Sequence, residues 1–253
     1  MKVTRDVGLL FWRSELQLLR NPVWLFVGMS TPLLYLALFT PLLGHLPGID
    51  GHGTGAVLDE FLPGILSLLA FSSGSGPGFN VIFELQSGVI ERFRVTPTSR
   101  LALLLGPILA SMAAMLLFDA VLVAVGIGFG FHPHVAGLVV LAVLAGLLMA
   151  TVAAFSMAMA LTTKDISSFA AVVNGLNLPV LLLAGVLLPI AFGPAWLRGL
   201  AHVDPLYYLV VASRSLAAGI LSAPATWEAF AVLAPLCALT LAWATRIYRR
   251  AVA

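Results

Sequence analysis

Twenty-seven consecutive residues, Val135–Leu161, carry no charged side chain. A helix rises about 1.5 Å per residue, so a run of this length exceeds the ~30 Å hydrocarbon core of a bilayer. Five further apolar runs accompany it: Val23–Leu43, Phe61–Ile82, Leu101–Phe131, Phe169–Ile190 and Trp227–Ile247. Only helices or closed barrels satisfy backbone polar groups inside lipid, and runs of about 20 residues are helical in length. The spacing therefore predicts an all-α polytopic membrane protein with six transmembrane helices. The third and fourth runs are long enough to require tilt or protrusion.

Composition supports this. Only 9% of the 253 residues are charged, against roughly 25% in soluble domains. That excludes a soluble enzyme and a disordered chain. The net charge of +2 and scattered basic residues also exclude a nucleic-acid-binding surface. The single cysteine, Cys237, permits no intrachain disulfide. Charges interrupt the first 20 residues too often for a secretory leader, so the N-terminus is expected to be retained.

Orientation follows from Lys and Arg. With a cytoplasmic N-terminus, Lys2, Arg5, Arg13, Arg20, Arg92, Arg94, Arg100, Lys164, Arg246, Arg249 and Arg250 all fall inside, and only Arg198 and Arg214 outside. Both termini are thus expected to be cytoplasmic. Residues 2–20 read as an amphipathic helix in the headgroup plane, with Leu9, Trp12, Leu16 and Leu19 on one face and Arg13, Gln17 and Arg20 on another. Asn21-Pro22 breaks it before the first span.

The connections carry the remaining signals. The glycine-rich segment Gly44–Glu60 joins the first two spans outside, and FELQSGVIERFRVTPTSR (83–100) joins the second and third inside. Residues 191–225 are apolar but broken by Pro194, Pro205 and Pro224. Pieces this short suit re-entrant outer helices. In the second run, Gly74, Gly76 and Gly78 with neighbouring serines favour close backbone approach or a flexible point. His132-Pro133-His134 is a weak metal signal, and no metal site is expected. Neither lysine follows a glycine, so the chain holds no phosphate-cradling Gly-Lys-Ser/Thr loop. No G-x-S-x-G or H-E-x-x-H arrangement occurs. The chain reads as the passive part of a machine powered elsewhere.

The stretch Gly88-x-x-Glu91-Arg92-x-x-x-Thr96-Pro97-x-x-Arg100 is the most specific motif. Around it stand Asn21-Pro22, FLPGILSLLAFSSGSGPGFNVIFE and Asp204-Pro205-Leu206 with Tyr208 and Arg214. Together they resemble the ABC-2 class of ABC transporter permeases, particularly the branch with daunorubicin-type drug exporters. The resemblance covers essentially the whole chain. It implies one transmembrane domain over 1–253: an interfacial helix at 1–22, a six-span region at 23–247 and a cytoplasmic coupling segment at 83–100. It implies a multi-pass plasma (inner) membrane location, two cytoplasmic ATPase subunits per complex, and a second copy or related permease alongside. ATP and Mg would bind the ATPases, with no cofactor in this chain. The implied activity is outward movement of a hydrophobic or amphipathic drug or natural product by alternating access. Export of lipid or polysaccharide is the alternative, and an ion-coupled secondary transporter a second one.

On this reading Gly88, Val89, Ile90, Glu91, Arg92, Phe93, Arg94 and Pro97 form the ATPase-coupling element. Apolar Val89, Ile90 and Phe93 ringed by charges suit a knob in a partner's groove, while an ordinary positive-inside loop would look similar. Asp119, the one carboxylate well inside a span, is a substrate-path candidate, or lies near the outer headgroups. Asn174 and Asn177, three apart on the fifth span, line a conduit or bond another helix. Asp204, Pro205, Tyr208 and Arg214 are expected to order the outer loop, with Asp204 a candidate partner for Arg214.

Overall fold

The computed structural model describes residues 2–20, 22–43, 54–89, 99–186, 190 and 193–251. Among them are ten helices and no strand: α1 Lys2–Leu19, α2 Pro22–Leu43, α3 Thr54–Ser73, α4 Gly76–Gln86, α5 Arg100–Gly128, α6 Val135–Thr163, α7 Ile166–Leu183, α8 Ala195–Ala201, α9 Pro205–Ala217 and α10 Pro224–Ala251.

Five segments are long and apolar enough to cross a membrane: Val57–Gln86, Leu101–Gly128, Val135–Thr163, Ile166–Leu183 and Pro224–Arg250. A shorter apolar stretch, Phe26–Leu38, lies within α2. Each predicted run thus coincides with helical structure, but four differ in extent, the sixth by reaching from Pro224 to Ala251. The second starts earlier and is two helices, α3 and α4, separated by the Gly74–Ser75 turn. The third ends at Gly128, because Gly130 (φ +97°) turns the chain. The fifth ends at Leu183 rather than Ile190, because Gly185 (φ +68°) does the same. These backbone angles are open to glycine at little steric cost.

At the centre of the bundle stands α6, packed against α3, α4, α5, α7, α9 and α10. Its buried residues include Leu144, Ala145, Leu148, Met149, Ala153, Ala154, Met157 and Ala158. A helix surrounded by other helices must be apolar on every side, and small side chains bring its neighbours close. The tightest approach is at Gly137, where an added Cβ would lie 1.9 Å from the carbonyl oxygen of Leu216 in α9. Gly74 and Gly78 likewise press α3–α4 onto α6, and Ser156 of α6 donates a 2.8 Å hydrogen bond to the Gly74 carbonyl. Gly76 has open space around it. By contrast α7 is peripheral: only Phe169 is buried, edge-on to Phe79 at 4.8 Å.

The short helices α8 and α9 occupy the segment predicted to hold re-entrant pieces. The amide of Leu206 donates to Asp204 Oδ1 at 2.9 Å, which caps α9, and Pro205 occupies its first turn. A proline fits there because that N–H has no intrahelical partner.

Candidate functional site

The coupling segment leaves α4 at Gly88, whose φ of +69° is the left-handed turn that ends many helices. Nothing lies within 4 Å of a Cβ built at this glycine, so the backbone angle, not packing, requires it. Ile90, Glu91, Arg92, Phe93, Arg94 and Pro97 lie outside the described residues, and Val89 is half-buried. The chain re-enters at Ser99, whose hydroxyl accepts from the Ala102 amide at 3.2 Å and caps α5.

Both borders of this segment are held by α1. Arg13 Nη2 lies 2.9 Å from Glu84 Oε1 near the end of α4. The Ser99 amide donates to Asp6 Oδ2 at 3.2 Å. Between these contacts Leu10 lies against Gly106 of α5, where an added Cβ would come within 2.6 Å of the leucine Cβ. Asp6, Leu10 and Arg13 follow one another at four and three residues, which places them on one helical face. Leu9 and Trp12, on the adjoining apolar stripe, are exposed, at 62% and 60%. Glu15 has one oxygen buried without a hydrogen bond, and desolvation raises its carboxyl above the ordinary range.

The sequence reading singled out the segment and missed what grips it. Arg13 was placed only on a polar face, and neither Glu84 nor Asp6 was paired. The available signal was the second stripe, Asp6–Leu10–Arg13, on a helix already known to carry an apolar one.

The other candidates lie apart. In α5, Asp119 falls four residues after Met115 and three before Leu122, both fully buried. One of its carboxylate oxygens is buried with no hydrogen bond. On α7, Asn174 is exposed and Asn177 half-buried. Toward the predicted outer end, Tyr208 donates its hydroxyl to the His202 carbonyl at 3.0 Å.

Arg214 does not pair with Asp204. Its Nη2 donates to the Gly185 carbonyl and its Nε lies 3.1 Å from Glu60 Oε1. That Nε makes no hydrogen bond, so the contact with Glu60 is coulombic. Asp204 is committed instead to its helix cap, and its second oxygen is buried without a partner. Burial pushes its carboxyl up to about 6, against the lowering effect of the Leu206 amide.

Among the described residues no group of three or more His, Cys, Asp or Glu side chains could hold a metal ion. The ring of His134 lies over Gly219.

The arrangement is a membrane bundle whose first helix lies across the two ends of one connecting segment. A family model described as ABC-2 type transporter matches residues 5–217, from α1 through α9. The chain belongs to the ABC-2 type transporter family. It is 30% identical over 215 residues to a putative transport permease of Cyanophora paradoxa, covering 84% of this chain and 74% of that one. The corresponding permease of Pyropia yezoensis is 27% identical over 220 residues, at the same coverage. A daunorubicin resistance ABC transporter permease protein of Streptomyces coeruleorubidus is 25% identical over 213 residues, covering 82% and 73%. This ABC-2 chain is therefore a multi-pass membrane subunit of an ABC transporter, and ABC-2 permeases work with ATPase subunits.

Proposed function

We propose that this permease moves a hydrophobic or amphipathic molecule outward, driven by two separate ATPase subunits that dock on the segment Gly88–Pro97. The family match over 5–217 carries this reading. Two features support it: the chain has no Gly-Lys-Ser/Thr loop of its own, and the docking segment is flanked by residues tied into the bundle. The proposal includes six spans, cytoplasmic termini, a plasma (inner) membrane location, and ATP with Mg held in the ATPases.

A second copy or related permease completes the path. Exposed Asn174 supports this, because a polar amide on a peripheral apolar helix is disfavoured against lipid and favoured against protein or water. Asp119 is the other path candidate, because its unpartnered oxygen is disfavoured in a sealed apolar interior. Drug or natural-product cargo is favoured by the daunorubicin resistance relative.

The test is co-expression with a soluble ATPase encoded beside the gene. Purified together in inverted vesicles, they are expected to take up daunorubicin with ATP and not with ADP. Uptake by the chain alone under an ion gradient would sink this reading in favour of a secondary transporter.

A further inference from the structure

The polar contacts of α1 are not what a membrane anchor needs. An anchor requires one apolar face, and exposed Leu9 and Trp12 supply it. An adjoining stripe nevertheless makes three contacts: Asp6 with the Ser99 amide, Leu10 with Gly106, and Arg13 with Glu84. Asp6 and Arg13 are seven residues apart, about 10.5 Å along the helix axis. Their partners, Ser99 capping α5 and Glu84 in α4, stand on either side of one connecting segment.

We propose that α1 is a brace that makes the end of α4 and the start of α5 move as one body, so that force on the segment between them tilts both helices together. This rests on the proposed function, in which that segment receives the ATPase. The side chains of Arg13 and Glu84 are 36% and 27% exposed. A pair so open to solvent adds little to stability. Its consequence is register rather than fold energy. Two polar attachments along one face fix both the position and the rotation of α1. The Leu10–Gly106 contact seats the rod closely against α5 between the two attachments. Direct contact between α4 and α5 is slight compared with the packing of α1 on α5 or of α4 on α6, so without α1 a push on the connecting segment could be absorbed by spreading them. Asp6 and Arg13 are thus positioning residues for coupling, acting through Ser99 and Glu84.

The test uses spin labels at Gln86 and Leu101, both exposed, in a Cys237→Ser background, with the full chain in nanodiscs with and without its ATPase. In the parent chain the distance between labels is expected to be narrow and unchanged when the ATPase is trapped with ATP and vanadate. Arg13→Glu is expected to broaden the nucleotide-free distribution and shift it on trapping. The swap Arg13→Glu with Glu84→Arg should restore the parent behaviour, which loss of folding could not do. Asp6→Ala should resemble Arg13→Glu, and Asp6→Asn, which keeps an acceptor for the Ser99 amide, should resemble the parent. Parent-like distances in both Arg13→Glu and Asp6→Ala would overturn the brace. Failure of any ATPase to bind the parent chain would overturn the functional reading, and the nucleotide-free distances would still decide whether α1 clamps the two helices.

Discussion

Arg214 and Glu60 meet at 3.1 Å where α9 passes the first turns of α3, and the same guanidinium donates to the carbonyl of Gly185 at 3.1 Å. One side chain therefore joins α3, α9 and the turn after α7. The two contacts are unequal. Glu60 is 64% exposed, so the ion pair contributes at most about 1 kcal/mol. A hydrogen bond from a charged donor to a backbone carbonyl is worth about 1.5–3 kcal/mol. Arg214→Ala is expected to lower stability by about 1–3 kcal/mol and Glu60→Gln by less than about 1 kcal/mol, read from thermal unfolding in detergent. A larger loss in Glu60→Gln would reverse that assignment.

Gly137 gives a steric prediction. A Cβ there would stand 1.9 Å from the Leu216 oxygen and 2.7 Å from its carbonyl carbon. These are backbone atoms, so no rotamer change relieves the clash, and α6 and α9 must separate. Gly137→Ala is expected to cost about 3 kcal/mol or more. Gly175 in α7 has nothing within 4 Å, and Gly175→Ala should be neutral or gain up to about 1 kcal/mol from helix propensity. Detergent-solubilised yield and unfolding midpoint measure both. Equal behaviour of the two variants would contradict the packing.

The break in the second span is secured from α6. Ser156 donates to the Gly74 carbonyl at 2.8 Å, and a Cβ at Gly74 would meet the Val152 Cβ at 2.5 Å. Interhelical hydrogen bonds in membrane bundles average about 0.6 kcal/mol, with a maximum near 1.7. Ser156→Ala is therefore expected to cost about 0.5–1.5 kcal/mol, and Gly74→Ala distinctly more because two helices must part. The order of the two unfolding midpoints decides the point.

What the sequence revealed depended on range. Hydrophobic length located the long apolar helices among the described residues, because burial in lipid demands a continuous apolar run whatever the helix packs against. Local chemistry was legible only in part: Asp204 and Pro205 stood out as ordering the outer loop, but their role as a helix cap followed by a first-turn proline emerged only with the fold. Long-range choices were not legible. Arg214 had Asp204 as a nearby carboxylate ten residues away, and the fold brought Glu60 from 154 residues earlier instead. The stripe Asp6–Leu10–Arg13 was visible as spacing, but its partners at Ser99, Gly106 and Glu84 could be known only once α1 lay across α5. Turns that shortened the third and fifth runs hinged on Gly130 and Gly185, which apolar counting does not register.

Asp204 makes stability depend on pH in a direction opposite to most carboxylates. Its side chain is 5% exposed, and burial raises it from 3.8 to about 6 even though the Leu206 amide favours the charged form. The folded state thus holds a proton that the unfolded chain has already released between those two values. When folded affinity exceeds unfolded affinity, stability falls as pH rises. The penalty is absent below about pH 3.8, grows through pH 6 and is complete above it, with an upper bound on the order of 3 kcal/mol. Asp204→Asn retains an oxygen to cap the Leu206 amide and removes the charge. Relative to this variant, the parent chain is expected to lose thermal stability between pH 5 and pH 7.5, and the variant should be at least as stable at the higher pH. Because the other titrating groups are common to both chains, the difference between the two curves isolates Asp204. A parent chain that gained on the variant as pH rose would mean that this carboxyl is charged and satisfied in the fold.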